Sequence, residues 1–109
     1  MTTAFIYQRG GWITGFEIKG HAGYAPAGAD IVCAAVSAVS ETTVLGLTRV
    51  LGLNCPVHTD EKRGALSCFL PPEGADERAQ VLLKTLVEGL TGIYQEYPGF
   101  IRIIFRERR

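Results

Sequence analysis

Between Lys19 and Ser37 the chain has to end a strand, cross a run of glycine and alanine, and start a helix. The stretch reads Gly20-His21-Ala22-Gly23-Tyr24-Ala25-Pro26-Ala27-Gly28-Ala29-Asp30-Ile31-Val32-Cys33-Ala34-Ala35-Val36-Ser37. Aspartate followed by an apolar, alanine-rich run is an N-cap signal and predicts a helix starting at Ile31. Cys33 then lies in the first turn, where unpaired N–H groups and the positive end of the helix dipole favour a thiolate. Eight residues separate His21 from Asp30, long enough for the loop to fold back and set the imidazole beside the sulfur.

The elements around this stretch follow from periodicity and turn chemistry. Residues 3–8 are β-prone, Arg9-Gly10-Gly11 reads as a hairpin turn, and 12–19 is a second strand in which Phe16 and Ile18 alternate with Glu17 and Lys19. A long helix is expected over 31–51 with Gly52 as its stop, then strands over 54–59 and 65–70 around the polar turn 60–64. Pro71-Pro72-Glu73-Gly74 breaks the chain. A second helix is expected over 75–97, with Val81, Leu82, Leu86, Leu90 and Ile93 near helical spacing, and a last strand over 100–106. The order β-β-α-β-β-α-β predicts an α/β two-layer sandwich, a mixed sheet with two helices on one face.

At 109 residues the chain is expected to be a single domain, 1–109. Its apolar fraction of 47% against 20% charged excludes disorder, and a formal net charge of zero argues against bulk attraction to nucleic acid or an anionic membrane. Direct nucleic-acid binding and membrane association are therefore not expected, and no uncharged apolar run is long enough to span a bilayer. Three cysteines without a CxxC pair point away from a disulfide framework and fit a reducing, cytoplasmic setting. No cofactor is expected. A metal site built from His21, Cys33, Cys55 and His58 has spacings unlike any usual zinc pattern, so no metal is assigned.

The chemistry expected of the loop and helix is that of a cysteine nucleophile. A helix start alone shifts a thiol by less than about one pKa unit, so the mechanism needs His21 as partner and as general acid toward the leaving amine. Two roles are open to Asp30: capping the helix through the N–H of Val32 or Cys33, or orienting His21 as a third catalytic member. Ser37, one turn after Cys33, either bonds back to the Cys33 carbonyl or shapes the pocket. Backbone N–H groups near Cys33 are the expected oxyanion donors. Seen singly, Cys33 reads as an inert buried thiol and His21 as a structural residue; their joint placement favours the active pair. Cys68 reads as core, Cys55 as structural, and His58 receives no role.

The block from Gly20-His21-Ala22-Gly23 to Gly28-x-Asp30-Ile31-Val32-Cys33-Ala34-Ala35-Val36-Ser37 resembles the ribosomal-processing cysteine protease family, Prp. Length and element order extend the resemblance over the whole chain. It implies a small α/β homodimer with His21 and Cys33 catalytic and Asp30 and Ser37 supporting. It implies a substrate loop, including Gly20, Ala22, Gly23, Tyr24 and Gly28, that orders over peptide. It also implies a substrate: a short, Phe-rich N-terminal leader of a large-subunit ribosomal protein. Small loop residues leave room for bulky aromatics. Two other readings remain. One is a non-enzymatic ribosome-associated protein using Arg102, Arg106, Arg108 and Arg109; the other is a cysteine hydrolase of thioesters or small amides.

Overall fold

The structure, a computed structural model, describes residues 1–26, 30–72 and 76–108. Strands β1 (Thr2–Arg9), β2 (Trp12–Lys19), β3 (Val57–Asp60), β4 (Ala65–Phe69) and β5 (Ile101–Glu107) alternate with helices α1 (Ile31–Leu45) and α2 (Glu77–Glu96) in the predicted order. The sheet runs β3-β4-β2-β1-β5, with β1 and β5 parallel and the other pairs antiparallel. It is the mixed sheet expected from the sequence, with both helices packed on one face.

Strand alternation fixes which face the helices cover. Ile6 pairs with Phe16, and Phe16 with Cys68, so Ala4, Ile6, Phe16, Ile18 and Cys68 point into the core. Val36 and Leu47 meet them from the α1 side, and Ala79, Leu83, Leu86 and Leu90 from α2. The buried row of α2 is therefore shifted from the expected one: Val81 is 64% exposed. Its place is taken by Gln80, whose amide accepts from Ile13 N–H at 2.9 Å and donates to Ile13 O at 2.8 Å, continuing the strand's hydrogen bonding into the helix layer.

The expected helix 31–51 has two parts. The α-helical segment ends at Leu45, and Gly46–Val50 winds as a π-helical turn closed by Leu51 N–H on Gly46 O. Gly46 lies so close to α2 that an added Cβ would come within 2.9 Å of Leu82 Cδ1. Ile31–Val50, which carries Glu41 and Arg49, is long and apolar enough to cross a bilayer by length and composition alone, with a mean hydropathy of 1.6. Here that apolarity serves packing: Val32, Val36, Thr43 and Leu47 are buried in the sandwich. The strand expected over 54–59 begins only at Val57, since Pro56 lacks the N–H a ladder needs.

Candidate active site

At the end of β2, Gly20 turns the chain with φ +87°, and His21 follows, exposed to solvent. Its Nε2 lies 3.3 Å from the Lys62 carbonyl, which can only accept, so Nε2 is the donor in this contact. Gly64, in the β3–β4 turn, stands directly behind the ring. Its φ is +61°, and a Cβ there would lie 3.0 Å from His21 Cε1 and 2.9 Å from Gly20 O. The turn thus holds His21 from behind, and only glycine fits it.

On the other side of the loop, Asp30 is the N-cap of α1. Its Oδ1 accepts from Val32 N–H at 3.0 Å and Cys33 N–H at 2.9 Å. Its Oδ2 accepts from Tyr24 N–H at 3.0 Å. Burial opposes ionisation of this carboxyl. Hydrogen bonds from the Cys33 and Tyr24 backbone, then from the Cys33 side chain and Ala25 N–H, outweigh it and hold the carboxyl below its ordinary value. Of the two roles left open, capping is the one the geometry displays; among the described residues Asp30 makes no hydrogen bond to His21.

Cys33 is half-buried, and its Sγ accepts from Ala22 N–H at 3.1 Å. Ala22 is itself buried, so the residue after His21 is fastened to the sulfur. Tyr24 packs edge-on against Tyr97 and Phe100 at 5.5 and 5.1 Å, which anchors this part of the loop. Gly23, between these anchors, is exposed with φ +75°. Gly28, together with Ala27 and Ala29, lies outside the described residues.

His21, Cys33 and Ser37 line one cleft of about 560 Å³, walled by α1 on one side and by the end of β2 and the β3–β4 turn on the other. No hydrogen bond joins His21 to Cys33 among the described residues, so the imidazole and sulfur share the cleft without touching. Of the N–H groups near Cys33, those of Val32 and Cys33 bond to Asp30, and that of Ala22 points at the sulfur. Of the two roles open to Ser37, it lines the cleft, and among the described residues no hydrogen bond joins its hydroxyl to the Cys33 carbonyl. Sequence reasoning passed over Gly64, Ser40 and Glu41. Helical spacing gave a signal for the last two, which lie seven and eight residues beyond Cys33 on the same face.

A helix-start thiol and an imidazole face one cleft on a two-layer α/β frame, groups of the kind that cysteine hydrolases use. The family model described as cysteine protease Prp matches residues 1–102, and the chain belongs to that family. The ribosomal processing cysteine protease Prp of Bacillus subtilis is 32% identical over 95 residues, covering 84% of each chain. That of Staphylococcus aureus (strain Mu50) is 32% identical over 99 residues, covering 88% of this chain and 90% of its own. A crystal structure of the S. aureus protease with a covalently linked product peptide superposes with a TM-score of 0.91 at 28% identity, over 97% of this chain and 100% of that one. SMU.848 from Streptococcus mutans superposes with a TM-score of 0.85 at 29% identity, over 99% and 96%.

Proposed function

We propose that the protein is a cysteine endopeptidase that removes a short N-terminal leader from a large-subunit ribosomal protein. Cys33 is the nucleophile and His21 the general base and acid. The observation that carries this reading is the position of Cys33 Sγ in the first turn of α1, open to the cleft that His21 also lines. Relatives described as ribosomal processing proteases support the substrate, as does an S. aureus relative crystallised with a substrate peptide.

The steps follow from these groups. His21 takes the proton from Sγ, and the thiolate attacks the scissile carbonyl. The tetrahedral intermediate collapses to a thioester between Cys33 and the leader as the C–N bond breaks. The leaving amine, the new N-terminus of the ribosomal protein, takes its proton from His21. His21 then deprotonates a water that hydrolyses the thioester and frees the leader. Asp30 keeps the sulfur and Ala22 in register through backbone contacts, and Ser37 shapes the cleft beside them. The loop from Ala22 shifts to admit peptide and closes over it, excluding water from the thioester. The enzyme works in the cytoplasm as a homodimer; the helix-free sheet face, where Tyr7 packs against both Phe5 and Phe69, offers a surface for the second copy.

Mass spectrometry of leader-bearing ribosomal protein tests the reading. Incubation with the wild-type protein should shorten it by one N-terminal fragment, and Cys33→Ala should leave it intact. A substrate left whole by the wild-type protein contradicts the proposal.

A further inference from the structure

The cleft does not end at the sulfur. Cys33, Ser37, Ser40 and Glu41 line it in succession along one face of α1. On the opposite wall stand Asp60, the last residue of β3, and Glu61, the first of the β3–β4 turn, at the His21 end of the sheet. Glu41, Asp60 and Glu61 thus place three carboxylates on the cleft, and no lysine or arginine is among the described residues that line it. Asp60 is partly engaged: its carboxylate accepts from Arg63 N–H at 3.3 Å and pairs with the Arg63 guanidinium at 3.7 Å. Neither Glu41 nor Glu61 has an ion-pair partner among the described residues.

A second observation is independent of this charge. Ser40 is wholly buried, lines the cleft, and its Oγ has no hydrogen-bond partner among the described residues. A buried hydroxyl left without a partner is costly, and natural proteins rarely tolerate one without a use for it. A neutral acceptor at the floor of a cleft edged by carboxylates matches a group rich in N–H donors and positive charge. A lysine ammonium carries three such donors, and a guanidinium five.

The geometry points to a subsite for a cationic side chain of the substrate peptide, with Glu41 and Glu61 as specificity-determining residues and Ser40 Oγ as a neutral acceptor at its floor. It rests on the peptidase reading and adds to it the charge of the peptide that fits. The distance sets the register. Eight residues of α-helix from Cys33 to Glu41 rise about 12 Å, the span of roughly three to four residues of extended peptide. A cationic residue held at Glu41 therefore sits three to four positions from the scissile bond.

The test is a series of leader-spanning peptides with lysine, glutamine or glutamate at the third and fourth positions on either side of the scissile bond. With the wild-type protein, lysine on one of the two sides should lower KM about tenfold relative to glutamine, with kcat nearly unchanged, as expected of two modest ion pairs. In Glu41→Gln/Glu61→Gln the advantage should disappear while the glutamine peptide is cleaved as before. Glu41→Lys/Glu61→Lys should favour the glutamate peptide. Ser40→Ala should weaken only the lysine peptide. Equal KM for lysine and glutamine on both sides overturns the subsite, as does an equal loss for both peptides in the Gln variant. Fluorescence anisotropy of the same peptides on Cys33→Ala reads the subsite without turnover. Preference for lysine there supports the subsite even where the wild-type protein cleaves nothing, an outcome that would overturn only the peptidase reading. Indifference there overturns the subsite alone.

Discussion

Asp30 and Asp76 open the two helices by the same bond, a carboxylate accepting the N–H two residues on, at 3.0 Å from Val32 and 2.7 Å from Arg78. What surrounds them differs. Asp76 is gripped by the Arg78 guanidinium at 2.6 Å. Its hydrogen bonds to the Arg78 side chain and backbone bring its carboxyl down to about 2. That network closes on itself at the surface and stabilises one helix end. Asp30 is buried, and its second oxygen reaches out of the helix to Tyr24 in the loop. The same cap thereby fixes the first turn that carries Cys33 and the loop that carries Ala22. A helix cap becomes part of a site when its spare acceptor is turned toward a loop that has work to do.

The largest test of this contrast is at the residue Asp30 positions. Cys33→Ala should reduce leader cleavage to background while the thermal midpoint stays close to that of the wild-type protein. His21→Ala should lower kcat by at least about 10²-fold, the lower end for general acid–base catalysis, with folding intact by circular dichroism. Asp30→Ala should cost about 0.5–2 kcal/mol as a lost cap and also slow cleavage, because Tyr24 N–H loses its acceptor. Asp30→Asn sharpens the point. Its amide oxygen still caps the helix, but its NH₂ cannot accept from Tyr24, so stability should survive better than activity. Asp76→Ala should lower the thermal midpoint and leave kcat/KM unchanged. Equal losses of cleavage in the Asp76 and Asp30 variants would erase the distinction between the caps.

The smallest effect expected is in acid. The Asp76 carboxyl is lower in the folded protein than the ordinary value near 3.9, so its contribution is fully present above about pH 4. It is lost as pH falls toward about 2, when the folded carboxylate takes up its proton. Asp76→Asn should flatten that part of a plot of thermal midpoint against pH. Asp30 is lowered in the same direction and adds to the same acid limb.

Much of the fold was legible because its signals are local. Alternation in Phe16-Glu17-Ile18-Lys19, the aspartate at the head of α1 and the Pro71-Pro72 break each act within a few residues. The misreadings came where distant packing decides. Val81 has helical spacing, yet Gln80 faces the sheet because Ile13 offers it both a donor and an acceptor. The helix changes to a π-turn at Gly46 where α2 approaches too closely for a side chain. At the site, both roles of Asp30 stayed open, because the sequence does not show which N–H groups its oxygens meet. Gly64 was invisible in the sequence: its importance lies in His21, forty-three residues away along the chain.

The central claim is that Cys33 becomes bonded to the leader. Intact-mass spectrometry of a wild-type reaction quenched in acid should find a fraction of the protein heavier by the N-terminal fragment, minus one water. Peptide mapping should place that thioester on Cys33. An adduct on Cys55 or Cys68, or leader cleavage that proceeds undiminished in Cys33→Ala, would contradict the account.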